Sequence, residues 1–379
     1  MEKPNIQDLL ERYHRGECTA EEEVMLSLWF HKESISSKWE QNAIDDEMAK
    51  SMKQAIDASI DRHEQPKRLS WYKYAAAAAI VMISLGAALF FNYQKNQRAS
   101  SLEYADSYIS PGEDKAILTL ADGKEISLND ASVGKLASQS GISITKSKTG
   151  QVIYTINKAI TPVKDAKVEY NTITTPRGGQ YVINLPDGTT VWLNAESSVK
   201  FPVSFINLDE RHVELKGEAY FEVAPDKDRP FKVLSNQQVV EVFGTHFNVM
   251  AYANEANVET TLLEGKVSVT YQSKEKFIKP GQQVQLIAGE MKVLNNVDLE
   301  GTIAWKNKVF QFDNTDIDKV LRQIERWYNV DVQYAGPKPD VSFTGVIPMN
   351  VNVSKILRVM EQTCNVKFEI EGRNIKRIK

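Results

Sequence analysis

From Tyr74 to Phe91 the chain runs for eighteen residues without a charge. A membrane-spanning helix needs roughly 20 mostly apolar residues, with about 17 as the lower bound. Aromatic residues bracket the run, with Trp71, Tyr72 and Tyr74 at one end and Phe90, Phe91 and Tyr93 at the other. Interfacial belts have this arrangement. The pattern predicts one transmembrane helix over 71–93. The residues before it are mostly polar, so it does not read as a cleavable signal peptide. Arg62, Lys67, Arg68 and Lys73 lie upstream, against Lys95 and Arg98 at similar distance downstream. The excess of cations upstream places the N-terminus in the cytoplasm and the larger part outside that membrane.

A chain of 379 residues with 42% apolar content has material for two or three domains. Its formal charge of −4 is close to balance, so direct binding to nucleic acid has no electrostatic support. The two cysteines, Cys18 and Cys364, fall on opposite sides of the expected span. They form neither a disulfide framework nor a metal-ligand pattern.

Residues 1–70 read as a small all-α cytoplasmic domain. Ile6, Leu9, Leu10 and Tyr13 share one helical face, and Val24, Met25, Leu28 and Trp29 share another. "TAEE", Thr19–Glu22, is a capping box before the second run. Ile44, Met48, Met52, Ile56 and Ile60 mark a third helix. Two readings stay open: a self-contained mini-bundle, or a clamp that offers its apolar faces to another protein by helix-in-groove packing.

From Ser100 the pattern becomes short alternating runs with Gly, Asp-Gly or Pro stops, the mark of an all-β region. A repeat lies inside it. "SPGEDKAILTLADGKEISLN", Ser110–Asn129, aligns without gaps on "TPRGGQYVINLPDGTTVWLN", Thr175–Asn194. Each copy reads as strand, Asp-Gly turn, strand. Glycine supplies the positive φ of a tight hairpin, and Asp bonds its own following backbone. Asp122, Gly123, Asp187 and Gly188 are therefore assigned to turns, not to a catalytic or metal site. The domain boundaries are 94–170 for the segment with the first hairpin and 171–300 for the main β domain. Residues 301–379 follow the order β-α-β-β-α-β-β, a compact α+β module with two helices over a small sheet. Asn314 or Thr315 is expected to cap its first helix. The fold class is thus multi-domain: all-α, one transmembrane helix, all-β, then α+β.

Chemistry is sparse. Five scattered histidines show no ligand spacing, and nucleotide, nucleophile-elbow and zinc-protease motifs are missing. The chain is not expected to be an enzyme, and no cofactor or metal is expected. One dipeptide stands out, Gly244-Thr245 in "VFGTHFNV". A threonine hydroxyl can attack the preceding carbonyl under backbone strain, but a glycine between two strands also reads as a simple bend.

Several stretches resemble the FecR family of membrane-bound sigma-factor regulators. They are "TPRGGQYVINLPDGTTVWLNAESSVKFP", "RHVELKGEAYFEVAPDKDRPFKV", "VFGTHFNVMAY" and "TLLEGKV". "VFQFDNTDIDKVLRQIERWYNVDVQY" resembles the C-terminal module of FecR-like proteins, itself similar to the short N-terminal domain of secretins and TonB-dependent receptors. "LLERYHRGECTAEEEVMLSLWF" resembles the N-terminal segment of this branch. The resemblance implies an anti-sigma factor in the inner membrane, single-pass, with its C-terminal part in the periplasm. Residues 1–70 would bind an extracytoplasmic-function sigma factor, with Leu9, Leu10, Tyr13, Met25, Leu28 and Trp29 as contact candidates. The periplasmic part would receive a signal from the signalling domain of a TonB-dependent outer-membrane transporter. Membrane proteases would then release the cytoplasmic segment by regulated proteolysis, and Gly244-Thr245 matches a self-cleavage position of some members. The alternative is a membrane-tethered periplasmic scaffold or glycan-binding module with no sigma-factor role.

Overall fold

The computed structural model describes Glu17, Thr19, Glu22 and residues 109–139, 141–156, 168–236, 238–336, 340–364 and 366–378. Within this part the expected architecture is corrected. The described protein is mostly β-sheet, and its α-helices span Leu299–Thr302, Ile317–Tyr328 and Val353–Thr363. Each is far below the roughly 20 residues a bilayer requires, and among the described residues no helix is long and apolar enough to cross a membrane. The expected all-α domain, apart from Glu17, Thr19 and Glu22, and the expected span over 71–93 lie outside the described residues. The capping box is visible. The Thr19 amide donates to Glu22 Oε2 at 2.9 Å, and the Glu22 amide donates back to Thr19 Oγ1 at 3.4 Å.

Strands β1 (Glu113–Asp114), β2 (Ile117–Thr119), β3 (Glu125–Ser127), β4 (Gly134–Gln139), β5 (Ile142–Lys146) and β6 (Val152–Ile156) form the leading segment. The main β domain continues with β7 (Tyr170–Thr175), β8 (Gly179–Asn184), β9 (Thr190–Leu193), β10 (Ser197–Pro202), β11 (Arg211–Glu222), β12 (Phe231–Ser235) and β13 (Gln238–Val242). It ends with β14 (His246–Ala251), β15 (Val258–Glu264), β16 (Val267–Tyr271), β17 (Lys274–Ile278), β18 (Gln283–Ile287) and β19 (Glu290–Leu294). Pairing sorts them into two sheets. The first runs β3-β2-β7-β10-β11-β12-β13-β16-β17. The second runs β4-β5-β6-β8-β9-β11-β14-β15-β18-β19.

Alternation drives this arrangement. In β12 and β13 every second residue is buried, so each strand has one face for the core. Phe201, Phe221, Phe231 and Phe247, together with Val199, Val213, Val233 and Val249, are fully buried in one continuous core. Each such side chain contributes about 1.5–3 kcal/mol on burial.

Strand β11 belongs to both sheets. Its first half pairs with β10 and β12, its second half with β9 and β14. The change falls at Gly217, whose φ is +85°. A Cβ there would lie 2.4 Å from Ser197 Oγ and 2.7 Å from the Glu196 carbonyl oxygen. Ser197 Oγ uses the approach to accept the Glu218 amide at 2.9 Å. A glycine is needed here for both conformation and space.

The repeated hairpins are built alike and sit in opposite sheets, β2–β3 in the first and β8–β9 in the second. In each, the glycine amide donates to the leucine three residues back, Gly123 to Leu120 at 2.9 Å and Gly188 to Leu185 at 3.0 Å. Asp122 Oδ1 accepts the Lys124 amide at 2.9 Å, and Asp187 Oδ1 accepts the Thr189 amide at 3.0 Å. The copies differ at the second carboxylate oxygen, where Asp187 Oδ2 accepts from Thr189 Oγ1 at 2.7 Å. Asp187 Oδ2 also accepts from Arg211 Nη1 at 2.8 Å, and the two side chains are 4% and 1% exposed. The Arg211 guanidinium finishes its hydrogen bonds on the Ala224 and Arg229 carbonyls.

The C-terminal module begins with α1 (Leu299–Thr302) and a 3-10 turn (Ala304–Asn307), then β20 (Val309–Asp316), α2 (Ile317–Tyr328), β21 (Asp331–Tyr334), β22 (Ser342–Pro348), α3 (Val353–Thr363), β23 (Phe368–Glu371) and β24 (Asn374–Arg377). The single small sheet expected from the pattern is instead two sheets. Strand β20 pairs with β22, while β21, β24 and β23 form a separate ladder. The helix cap also moves. Strand β20 continues through a bulge at 312–315, so Asp316 caps α2 by accepting the Asp318 amide at 2.8 Å. Ile317, Val320, Leu321, Ile324 and Trp327 of α2 and Ile356, Leu357 and Met360 of α3 share one core.

Two substitutions test these constraints. Gly217→Ala is expected to destabilise the protein by about 1–3 kcal/mol or more, from the positive φ and the contact with Ser197. Arg211→Met strands a buried carboxylate and is expected to cost about 3–5 kcal/mol. Adding Asp187→Leu to it should recover part of that loss. Urea unfolding of the three variants gives these differences directly.

Candidate functional site

Six residues, Thr175 to Gln180, read "TPRGGQ" and run from the last residue of β7 through a turn into β8. They tie the sandwich to the C-terminal module. Arg177 Nη1 donates to Asp331 Oδ1 at 2.6 Å, and its Nη2 donates to the Glu325 carbonyl at 3.2 Å and to the Val330 carbonyl. The Gly178 amide donates to the Arg326 carbonyl at 2.6 Å. At φ +71° a Cβ on Gly178 would sit 3.3 Å from the Trp327 carbonyl oxygen. Gln180 Oε1 accepts from Lys308 Nζ at 2.9 Å, and Lys308 also pairs with Asp114 at 2.7 Å. One short segment thus closes the last turn of α2 with its own backbone and a guanidinium.

Helix α2 presents a basic face to the sandwich. Lys319, Arg322 and Arg326 are spaced to lie on one side of it. Glu255, after β14, receives two arginines: Arg322 Nη2 at 2.6 Å and Nε at 3.0 Å on Oε2, and Arg326 Nη2 at 2.8 Å on Oε1. The Glu255 side chain is 3% exposed. Burial pushes its carboxyl up, but hydrogen bonding to Arg322 and the charge of Arg326 outweigh this and hold it below the ordinary value. Lys319 pairs with Glu259 of β15 at 3.2 Å. Arg326 also lies over the Tyr252 ring at 4.0 Å, and the Tyr252 hydroxyl donates to the Ala195 carbonyl at 2.7 Å. From the 3-10 turn, Lys306 sits 4.4 Å from the Trp192 ring and 4.7 Å from the Tyr220 ring. The joint is therefore cationic on the module and acidic or aromatic on the sandwich.

Gly244 and Thr245 lie elsewhere, where the chain crosses from β13 in the first sheet to β14 in the second. Gly244 has φ +145°, and a Cβ there would meet Pro225 Cα at 2.9 Å. Thr245 is buried, and its Oγ1 donates to the Lys266 carbonyl at 3.1 Å. Its own carbonyl accepts the Val223 amide at 3.0 Å. The next side chain, His246, pairs with exposed Glu264 at 3.3 Å. Hydroxyl and imidazole are thus engaged with separate partners. The contact candidates Leu9, Leu10, Tyr13, Met25, Leu28 and Trp29 lie outside the described residues. Asp122, Gly123, Asp187 and Gly188 occupy the two hairpin turns. The joint residues Arg177, Glu255 and Arg326 were not singled out from sequence, because their partners lie about 70 to 150 positions away.

Residues 171–268 match the family described as FecR protein, and residues 309–376 match FecR, C-terminal. No curated protein matches the chain. Two crystal structures, at 2.50 and 1.65 Å, of a candidate anti-sigma factor from Parabacteroides distasonis ATCC 8503 are similar to it. Each is 29% identical with a TM-score of 0.52, and the match covers 55% of this chain and 99% or 98% of the other. Two stretches of this chain, residues 171–268 and 309–376, are thus similar to the domains of the FecR family.

Proposed function

We propose that this protein is an anti-sigma factor that holds an extracytoplasmic-function sigma factor through residues 1–70 and answers to a signal received by its β-rich and C-terminal parts. The observation that carries the reading is the 29% identity over 99% of the length of a candidate anti-sigma factor. The joint supports it. A module bound at 309–376 is fixed to the FecR domain by Arg177, Gly178 and the Glu255 pairs, so a load on one is felt by the other. The donor of the signal in this reading is the signalling domain of a TonB-dependent outer-membrane transporter. The proposed location is the inner membrane, with these parts in the periplasm and membrane proteases acting after the signal.

Co-purification of the full chain with the extracytoplasmic-function sigma factor encoded beside it is the direct test. Capture is expected, and deletion of residues 1–70 should abolish it; failure of the full chain to capture the sigma factor would sink the reading. Self-cleavage after Gly244 is a separate proposal, motivated by the Gly244-Thr245 pair at the crossing from β13 to β14. Intact-mass measurement of the purified chain should then give two fragments for the wild type and one mass for Thr245→Ala. A wild type that stays at a single mass over days rejects it.

A further inference from the structure

Strand β19 ends the second sheet. Among the described residues it pairs with β18 alone, so its far edge is open. The turn between the two strands fixes which backbone groups face that edge. Ala288 and Gly289 have φ of +48° and +83°, the positive pair of a type I′ turn, and Ile287 stands opposite Glu290. In such a hairpin the residues flanking the turn exchange both backbone hydrogen bonds, and the alternation continues along the strand. The backbone of Glu290 and Lys292 therefore bonds β18. The N–H and C=O groups of Met291 and Val293 point to the open edge.

Other edge strands are guarded. A bulge at 135–137 interrupts β4. In β21 and β23 an amide at the edge is already taken by a glutamate: Glu325 Oε1 accepts the Val332 amide at 2.7 Å, and Glu361 Oε1 accepts the Phe368 amide at 2.9 Å. In β17, Lys276 stands opposite the core residue Val269, so a strand added there would cover an inward-pointing charge. Strand β19 has none of these devices. The side chains on its inner face, Met291 and Val293, are apolar and pack against the core. Glu290 and Lys292 stand exposed on its outer face, without an ion-pair partner among the described residues.

We infer that β19 binds a second copy of this chain, strand to strand, across a two-fold axis. An axis normal to the sheet keeps every side chain on its own face, so few registers are open. An axis through Met291 sets Glu290 of each copy opposite Lys292 of the other. That gives two opposite-charge pairs on the exposed face, and the two Met291 residues exchange backbone hydrogen bonds. An axis through Glu290 or Lys292 sets like charges against each other, and one through Val293 leaves Lys292 against Leu294. Charge thus selects one register, and this self-complementarity identifies the occupant as a second copy. The contact uses the same patch on both copies, so it closes as a dimer and does not propagate. It joins the two second sheets into one. The inference rests on the edge geometry and does not depend on the sigma-factor reading.

Sedimentation equilibrium of the full chain in a mild detergent, over a concentration series, is the test. A monomer–dimer equilibrium is expected. Lys292→Glu turns both opposite-charge pairs into like-charge pairs and should weaken the dimer by about tenfold or more. Glu290→Lys should do the same. The double variant carrying both substitutions restores the pairs and should recover the wild-type affinity. Both side chains are exposed, so all three variants should melt as the wild type does. A wild type that stays monomeric throughout the series overturns the inference. So do single variants that dimerise like the wild type, or a double variant no tighter than the singles.

Discussion

Strand β11 is the constraint on which the rest of the structure depends. It runs in one sheet up to Lys216 and in the other from Gly217 onward, so it fixes the angle and the spacing between the two layers. Strands that change sheets need a local bend, and Gly217 provides it against Ser197. Ser197 Oγ is also within reach of the Tyr252 hydroxyl at 3.3 Å, so the bend is coupled to the ring on which Arg326 rests. The buried Asp187–Arg211 pair acts at the other end of β11. It ties a hairpin turn of the second sheet to the half of β11 that belongs to the first.

The joint follows from that geometry. Once β11 has turned, Glu218 and Tyr220 lie on the part of the second sheet that meets the C-terminal module. Helix α2 does two things at once. Its apolar stripe, Ile317 to Trp327, fills a core that Ala195 and Tyr220 of the sandwich also enter, and its basic stripe reaches the sandwich. A single helix with two committed faces has little freedom to rotate without breaking one set of contacts. The exposed pairs in such a set are worth little each, but the Glu255 carboxylate is buried between two arginines, and losing one of them leaves a charge desolvated.

The same logic explains why the leading segment is part of this unit. Strand β1 lies parallel to β8, next to the Gly179–Gln180 edge, and Asp114 adds a second acceptor for Lys308. The internal repeat is therefore not a solenoid step. Two like hairpins have been placed in facing sheets, and only the second acquired a buried ion pair.

Local sequence by itself determined the strand alternation, both Asp-Gly turns, the Thr19–Glu22 capping box and the amphipathic pattern of α2 and α3. These features depend on neighbours within a few residues, through side-chain period, turn φ and short-range hydrogen bonds. The tertiary structure decided what needed partners distant in sequence. It divided the strands into two sheets through Gly217, moved the α2 cap to Asp316, and split the module's strands into two ladders. It also gave "TPRGGQ" its place, because Arg177 finds Asp331 only after the sandwich and the module have both folded. Likewise, nothing near Glu255 in the sequence marks it as the acceptor of two arginines, because α2 brings Arg322 and Arg326 to it only in the folded chain.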